Sequence, residues 1–165
     1  MEPNIEPPNS FHLLSAQGWL ELGNLDEARI ELSQVSPRFI EHPCVLELQW
    51  QILAKERAWD KCVALAAVLT QAAPDSPAGW VHGSFALHEL KKTSEARDNL
   101  LVATQRFPED PLICYNLACY QCQLGALDEA KEWLRKACQL GNAKQFKKLA
   151  REDPDLRPLW QSGQE

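Results

Sequence analysis

At 165 residues, with 45% apolar and 24% charged side chains, the chain is long enough for a substantial core and has the make-up of a water-soluble globular protein. Its formal net charge of −6 argues against nucleic acid, since phosphate binding needs a basic face. No apolar run approaches the roughly 20 residues of a membrane span, and residues 1–8 lack the basic and apolar stretches of a secretory signal. Six cysteines without an export signal imply reduced thiols and a cytoplasmic location.

In chain order, residues 1–8, with three prolines and two glutamates, read as a flexible polar tail. An apolar helical segment at 11–22 follows and ends at Gly23-Asn24, where Asn24 and Glu27 form a capping-box pattern for the next helix. His42-Pro43 opens a segment at 45–54, with proline at the first helical position but no good cap. Ser76-Pro77 and Asp110-Pro111 open the segments at 80–90 and 112–124, each with an N-cap oxygen before the proline. Gly125 supplies the turn after the last of these, and Pro74 and Pro108 close two successive blocks. A capping helix is expected at 143–151, with Lys144, Lys147, Lys148 and Arg151 facing water. Asp153-Pro154 then breaks the chain before a turn that pins Trp160 in the core.

These segments are phase-locked. Ala28, Cys62, Ala96 and Ala130 each stand 34 residues after the last. Leu25, Trp59, Thr93 and Leu127 lie three before them; Leu32, Ala66, Leu100 and Leu134 lie four after; Val35, Leu69, Ala103 and Ala137 lie seven after. Offsets of four and seven are one face of a helix, and a fixed period of this length marks a repeat array. Small residues let paired helices approach closely, larger apolar ones fill the layers between repeats, and stability is approximately a sum of neighbour interfaces.

The 34-residue helix-turn-helix pattern resembles the tetratricopeptide repeat family. Repeats at 9–42, 43–76, 77–110 and 111–144, with a cap at 145–165, make a single domain over 9–165. The third repeat carries the resemblance in Trp80, Ser84, Leu87, Ala96, Leu100, Ala103 and Pro108; the fourth does so in Cys114, Leu117, Ala118, Ala130, Leu134 and Ala137. The second keeps Leu46, Leu53 and Pro74. The first is weakest, with His12 at the bulky position and Ile40 where proline is expected. The implied fold is all-α: a right-handed solenoid of four repeats plus a C-terminal capping helix. Trp50 takes a small position and Gly83 a bulky one. Either the indole fills the volume the glycine vacates, or it is an exposed partner anchor.

The resemblance also implies a binding face, because first helices line a concave groove in this family. Its groove positions carry over to Leu13, Gln17, Leu20 and Glu21 in the first repeat, and to Glu47, Gln51, Ala54 and Lys55 in the second. In the third they fall on Val81, Phe85, His88 and Glu89, and in the fourth on Leu112, Tyr115, Cys119, Cys122 and Gln123. Phe85 and Tyr115 are expected to be partly exposed as a shared anchor for a peptide or helix, while Glu47 and Glu89 favour a basic ligand. The family's carboxylate clamp is not met: Leu13 and Glu47 take the position of its lysine, Ala78 and Leu112 that of a basic residue, and only Asn116 matches.

Chemistry has little support. Cys119 and Cys122 form a CxxC in mid-helix, away from the N-terminus that would lower a thiol pKa, and lack the other ligands a zinc site needs. His12, His42, His82 and His88 are scattered. No catalytic residue, metal or cofactor is expected. The expected function is a non-catalytic protein-interaction scaffold for a protein or peptide partner, without nucleic acid or membrane. The alternative is a homo-oligomer assembling through charged ends, since residues 1–50 hold eight acidic and two basic side chains and residues 131–165 eight basic and five acidic.

Overall fold

The computed structural model describes residues 5–161; the outer parts of the expected tail and cap, 1–4 and 162–165, lie outside them. The described chain is helical, with no strand among the described residues. Its helices are α1 (Asn9–Glu21), α2 (Leu25–Ser33), α3 (Pro43–Lys55), α4 (Trp59–Ala72), α5 (Ala78–Glu89), α6 (Thr93–Arg106), α7 (Pro111–Gln123), α8 (Leu127–Leu140), α9 (Ala143–Glu152) and α10 (Arg157–Gln161), with 3-10 turns at Pro37–Phe39 and Pro154–Leu156. They form two compact units, Met1–Gly79 and Trp80–Glu165.

The 34-residue phase is kept to the residue. Leu25, Trp59, Thr93 and Leu127 are the first residues of α2, α4, α6 and α8. The small residues three positions later, Ala28, Cys62, Ala96 and Ala130, are all wholly buried. Burial also pushes the Cys62 thiol up to about 11, so at neutral pH it is a small apolar packing group. Pairs α1–α2 and α3–α4 pack within the first unit, and α7–α8 within the second. In the second unit Asn99 of α6 also reaches α5, its amide donating to the Trp80 carbonyl at 3.2 Å and to the buried Ser84 hydroxyl at 2.7 Å.

Each hairpin turns by the same motif. The residues at Gly23, Arg57, Lys91 and Gly125, again 34 apart, have φ between 58° and 82°. After each, an N–H reaches five residues back: Asn24 to the Trp19 carbonyl, Ala58 to Leu53, Lys92 to Leu87 and Ala126 to Gln121, all at 2.9 Å. This is the Schellman closure, which satisfies carbonyls that a helix end leaves open. Gly23 and Gly125 adopt it without a Cβ penalty, whereas Arg57 and Lys91 do not.

Helix starts follow the expected chemistry with one refinement. Asn24, Asp110 and Asn142 side chains accept from Glu27, Ile113 and Gln145 N–H groups, and the Ser76 hydroxyl accepts from Ala78. His42 is a better cap than its residue type suggests, its Nδ1 accepting from the Cys44 N–H at 3.3 Å. Trp50 is buried, its indole N–H donating to the Cys62 carbonyl at 3.2 Å, so it is a packing residue and not an exposed anchor.

At the C-terminal end α9 presents Lys144, Lys147, Lys148 and Arg151 to solvent as expected. Trp160 corrects the expectation. It is 48% exposed, with its indole N–H donating to the Ala150 carbonyl at 3.1 Å. Leu156 of the 3-10 turn and Leu159 of α10 fill the core instead, and the residue after Leu159 is left half exposed.

Arg57→Gly and Lys91→Gly should each raise stability by about 0.5–1 kcal/mol, the left-handed strain relieved less the chain entropy that glycine adds. Urea unfolding followed by circular dichroism reads this; an unchanged or lower midpoint would show that the side chains compensate for the backbone.

Candidate functional site

The inner-face positions of the first unit divide sharply. Gln17 and Gln51 are exposed, with the Gln17 amide donating to Glu21 at 3.1 Å. Leu13 is half-buried against the core. Leu20 is a correction: it is 5% exposed and belongs to the core with Ala16, Ala28, Leu48 and Ile52, because its position on α1 faces α2 and α3. Glu47 is half-buried, and desolvation lifts its carboxyl above the usual range.

In the second unit the C-terminal segment covers one face of α7. Asp153, Pro154 and Asp155 lie across α7. The Tyr115 hydroxyl donates to Asp153 Oδ2 at 2.7 Å, and the Cys119 thiol lies 3.6 Å from the same oxygen. The Gln123 amide donates to the Asp155 carbonyl at 2.8 Å. His88 Nε2 stands 3.1 Å from Asp155 Oδ2, while its Nδ1 faces the Thr93 hydroxyl at 2.9 Å. The segment holds its own shape, with Asp153 Oδ1 accepting from the Asp155 N–H at 2.9 Å. Phe146 of α9 adds a ring 5.5 Å from that of Tyr115, made possible by Gly141, where a Cβ would stand 2.6 Å from the Phe146 ring.

The expected anchor is therefore split. Phe85 is 40% exposed and Leu112 45%, whereas Tyr115, Cys119 and Cys122 are at most 4% exposed. His88 is also buried, and Val81 and Glu89 are half-buried. Tyr115 is no surface ring, because three polar groups of α5 and α7 converge on two carboxylates of the C-terminal segment. Burial, followed by the neighbouring Asp153, drives the Tyr115 hydroxyl and Cys119 thiol far up, so neither ionises near neutral pH. Asp155 is held below the usual carboxylate range, first by its hydrogen bond with His88. Reasoning from groove positions missed Asp153 and Asp155. The signal available was Asp-Pro-Asp after a capping helix, in which Asp153 caps the turn that Pro154 begins.

Cys114, Cys119 and Cys122 are buried with thiols raised by desolvation. Among the described residues no three His, Cys, Asp or Glu side chains are grouped to hold a metal ion, and no helix is long and apolar enough to cross a membrane.

No family model and no curated protein matches the sequence. Solved structures do match. MamA of RS-1, a double mutant, superposes with a TM-score of 0.67 at 14% identity, covering 85% of this chain and 79% of that one. MamA of MSR-1 gives 0.64 at 19% identity over 82% and 78%, and MamA of AMB-1 gives 0.61 at 20% identity over 81% and 78%. At such identities the likeness is one of fold. The chain has an all-α, tetratricopeptide-like repeat fold.

Two outcomes check the C-terminal cover. Tyr115→Ala should cost about 3–5 kcal/mol of stability, as loss of a buried aromatic does, while Phe85→Ala costs far less. Asp155→Ala should destabilise the chain at neutral pH. A depressed carboxylate contributes stability above its unfolded value and loses it as pH falls through the folded one. The deficit should therefore shrink as pH drops through and below about 3.9. Thermal melts of wild type and variant at pH 7 and pH 3 measure this; a deficit that is constant with pH would remove the ionised Asp155–His88 contact from the picture.

Proposed function

We propose that the chain is a non-catalytic, cytoplasmic protein-binding scaffold whose inner face holds an apolar segment of another protein. The observation that carries this reading is the exposure of Phe85 and Leu112, large apolar side chains left open at groove positions of α5 and α7 in the same unit. Exposed aromatic and aliphatic anchors at such positions suit a partner's apolar side chain. Glu89, on the same helix as Phe85, favours a ligand with a basic residue beside that anchor. The carboxylate-clamp mode stays outside the proposal, since the clamp's basic positions hold Leu13, Glu47, Ala78 and Leu112.

The supporting experiment is an affinity pull-down from lysate with wild type beside a Phe85→Ala, Leu112→Ala double variant. Partners captured by wild type should be lost or reduced about tenfold in the variant, with its circular dichroism unchanged. Retention of all partners at full strength would contradict the proposal.

A second reading, self-association through charged ends, rests on the four exposed cations of α9 and on residues 1–79, which carry eleven carboxylates against five Lys and Arg. Charge-driven assembly weakens as salt screens it. Sedimentation at two salt concentrations separates this from a monomeric scaffold.

A further inference from the structure

The first helix breaks a rule that the later first helices keep. On α1, Phe11 is 63%, Leu14 70% and Leu22 77% exposed. With Gly18 they recur at intervals of three or four residues, which is one stripe of a helix. Leu22 says little by itself, since Leu124 at the same hairpin position is 40% exposed. The other three differ from their counterparts. At steps of 34 residues, Phe11 corresponds to Val45, Gly79 and Ile113, Leu14 to Leu48, His82 and Asn116, and Gly18 to Ile52, Ala86 and Tyr120. All nine are buried or half-buried. In α3, Val45 packs with Val35 and Phe39, and Leu48 and Ile52 pack with Ala16 and Ala28, so the preceding repeat covers this face. Repeat arrays need a polar face where no neighbour stacks, and α1 presents an apolar one.

Gly18 points the same way. It lies in mid-helix, where glycine is among the least favourable residues. Nothing inside the chain calls for it, because a Cβ there would meet no atom within 4 Å. A second helix crossing at this point from outside would use the space, since interaxial distance depends on the side chains at the contact. The stripe is also symmetric about the glycine. Leu14 stands four residues before it and Leu22 four after, so two copies of α1 crossing antiparallel at Gly18 set Leu14 of each against Leu22 of the other. Ser15 and Glu21, both exposed, stand three before and three after, so each Glu21 faces a serine hydroxyl. A parallel pair would bring the two Glu21 carboxylates together, which like-charge repulsion disfavours. At their exposures Phe11, Leu14 and Leu22 hold roughly 400 Å² of uncovered surface, so a symmetric pair covers roughly 800 Å² from them alone, against about 1,600 Å² for a standard interface. That area suits a reversible dimer.

We propose that α1 pairs with α1 of a second copy, antiparallel and two-fold about Gly18. The pairing uses neither Phe85 and Leu112 nor the α9 cations, so it is independent of groove binding and of assembly through charged ends. Residues 1–28 carry five carboxylates and no Lys or Arg. The two copies therefore repel at low salt, and screening tightens the pair.

Sedimentation velocity of the full chain over a range of concentrations tests this. Wild type should show a monomer–dimer equilibrium that tightens as salt rises, the opposite of assembly through charged ends. Phe11→Ser and Leu14→Ser should each weaken it about tenfold, the loss of one buried apolar contact, with helicity unchanged because both side chains are exposed. Gly18→Leu should abolish pairing, yet its thermal midpoint, read at a concentration where wild type is monomeric, should be equal or higher. Leu14→Glu and Leu22→Lys should each weaken the dimer. Combined in one chain they should restore it, since the new carboxylate of one copy faces the new ammonium of the other. Should Gly18→Leu lose helicity, this exchange carries the test. A chain that stays monomeric up to about 1 mM overturns the proposal. So does a dimer that ignores these substitutions; if it also weakens with salt, assembly through charged ends stands and the α1 pair falls. A monomeric chain that binds an amphipathic Lys-Leu peptide through Leu14 would give the face to a basic partner instead.

Discussion

The structure depends on how closely two helices of a repeat can approach. That distance is set at Ala28, Cys62, Ala96 and Ala130, each wholly buried and each three residues into a second helix. Packed helix axes lie about 8–10 Å apart, depending on the side chains at the contact, so a larger group at these points forces the pair open. Four identical Schellman turns repeat the same geometry, strongly enough to hold Arg57 and Lys91 in a left-handed backbone that their side chains disfavour.

This physical repetition explains which features were legible in the residues alone. Helix starts, hairpin turns and buried small residues follow from local spacing, and the structure keeps them. Long-range contacts are a different matter. That Tyr115 and Cys119 lie under Asp153 depends on where the chain goes after α9, and no periodic pattern reports it. Trp160 reads as core from its size, yet the 3-10 turn and α10 give the core to Leu156 and Leu159. Leu20 shows the reverse error, since a position that faces a groove in the family faces the core here. Pro37 could have announced the shortened α2, because a proline there departs from the other three second helices.

The proposed function rests on what the packing leaves uncovered. In the second unit, the Asp153–Asp155 carboxylates take up the polar groups of α5 and α7, so the C-terminal segment covers one face of α7 around Tyr115 and leaves Phe85 and Leu112 accessible. The cover on α7 arises where the repeat pattern ends and the segment after α9 is added. Binding capacity of this kind needs no reactive group, in keeping with cysteines that are mostly buried and poorly ionised.

The cover on α7 decides which of its residues the proposed partner could reach, and thiol labelling reads it directly. Native protein treated briefly with a maleimide, then digested and analysed by mass spectrometry, reports each cysteine by itself. Cys44, which is exposed, should label quickly, while Cys119 and Cys122, at most 4% exposed beneath the C-terminal segment, should stay unmodified until the chain is denatured. Labelling of Cys119 and Cys122 at the rate of Cys44 in the folded protein would mean that the inner face of α7 is open, and that Tyr115 belongs to the binding surface after all.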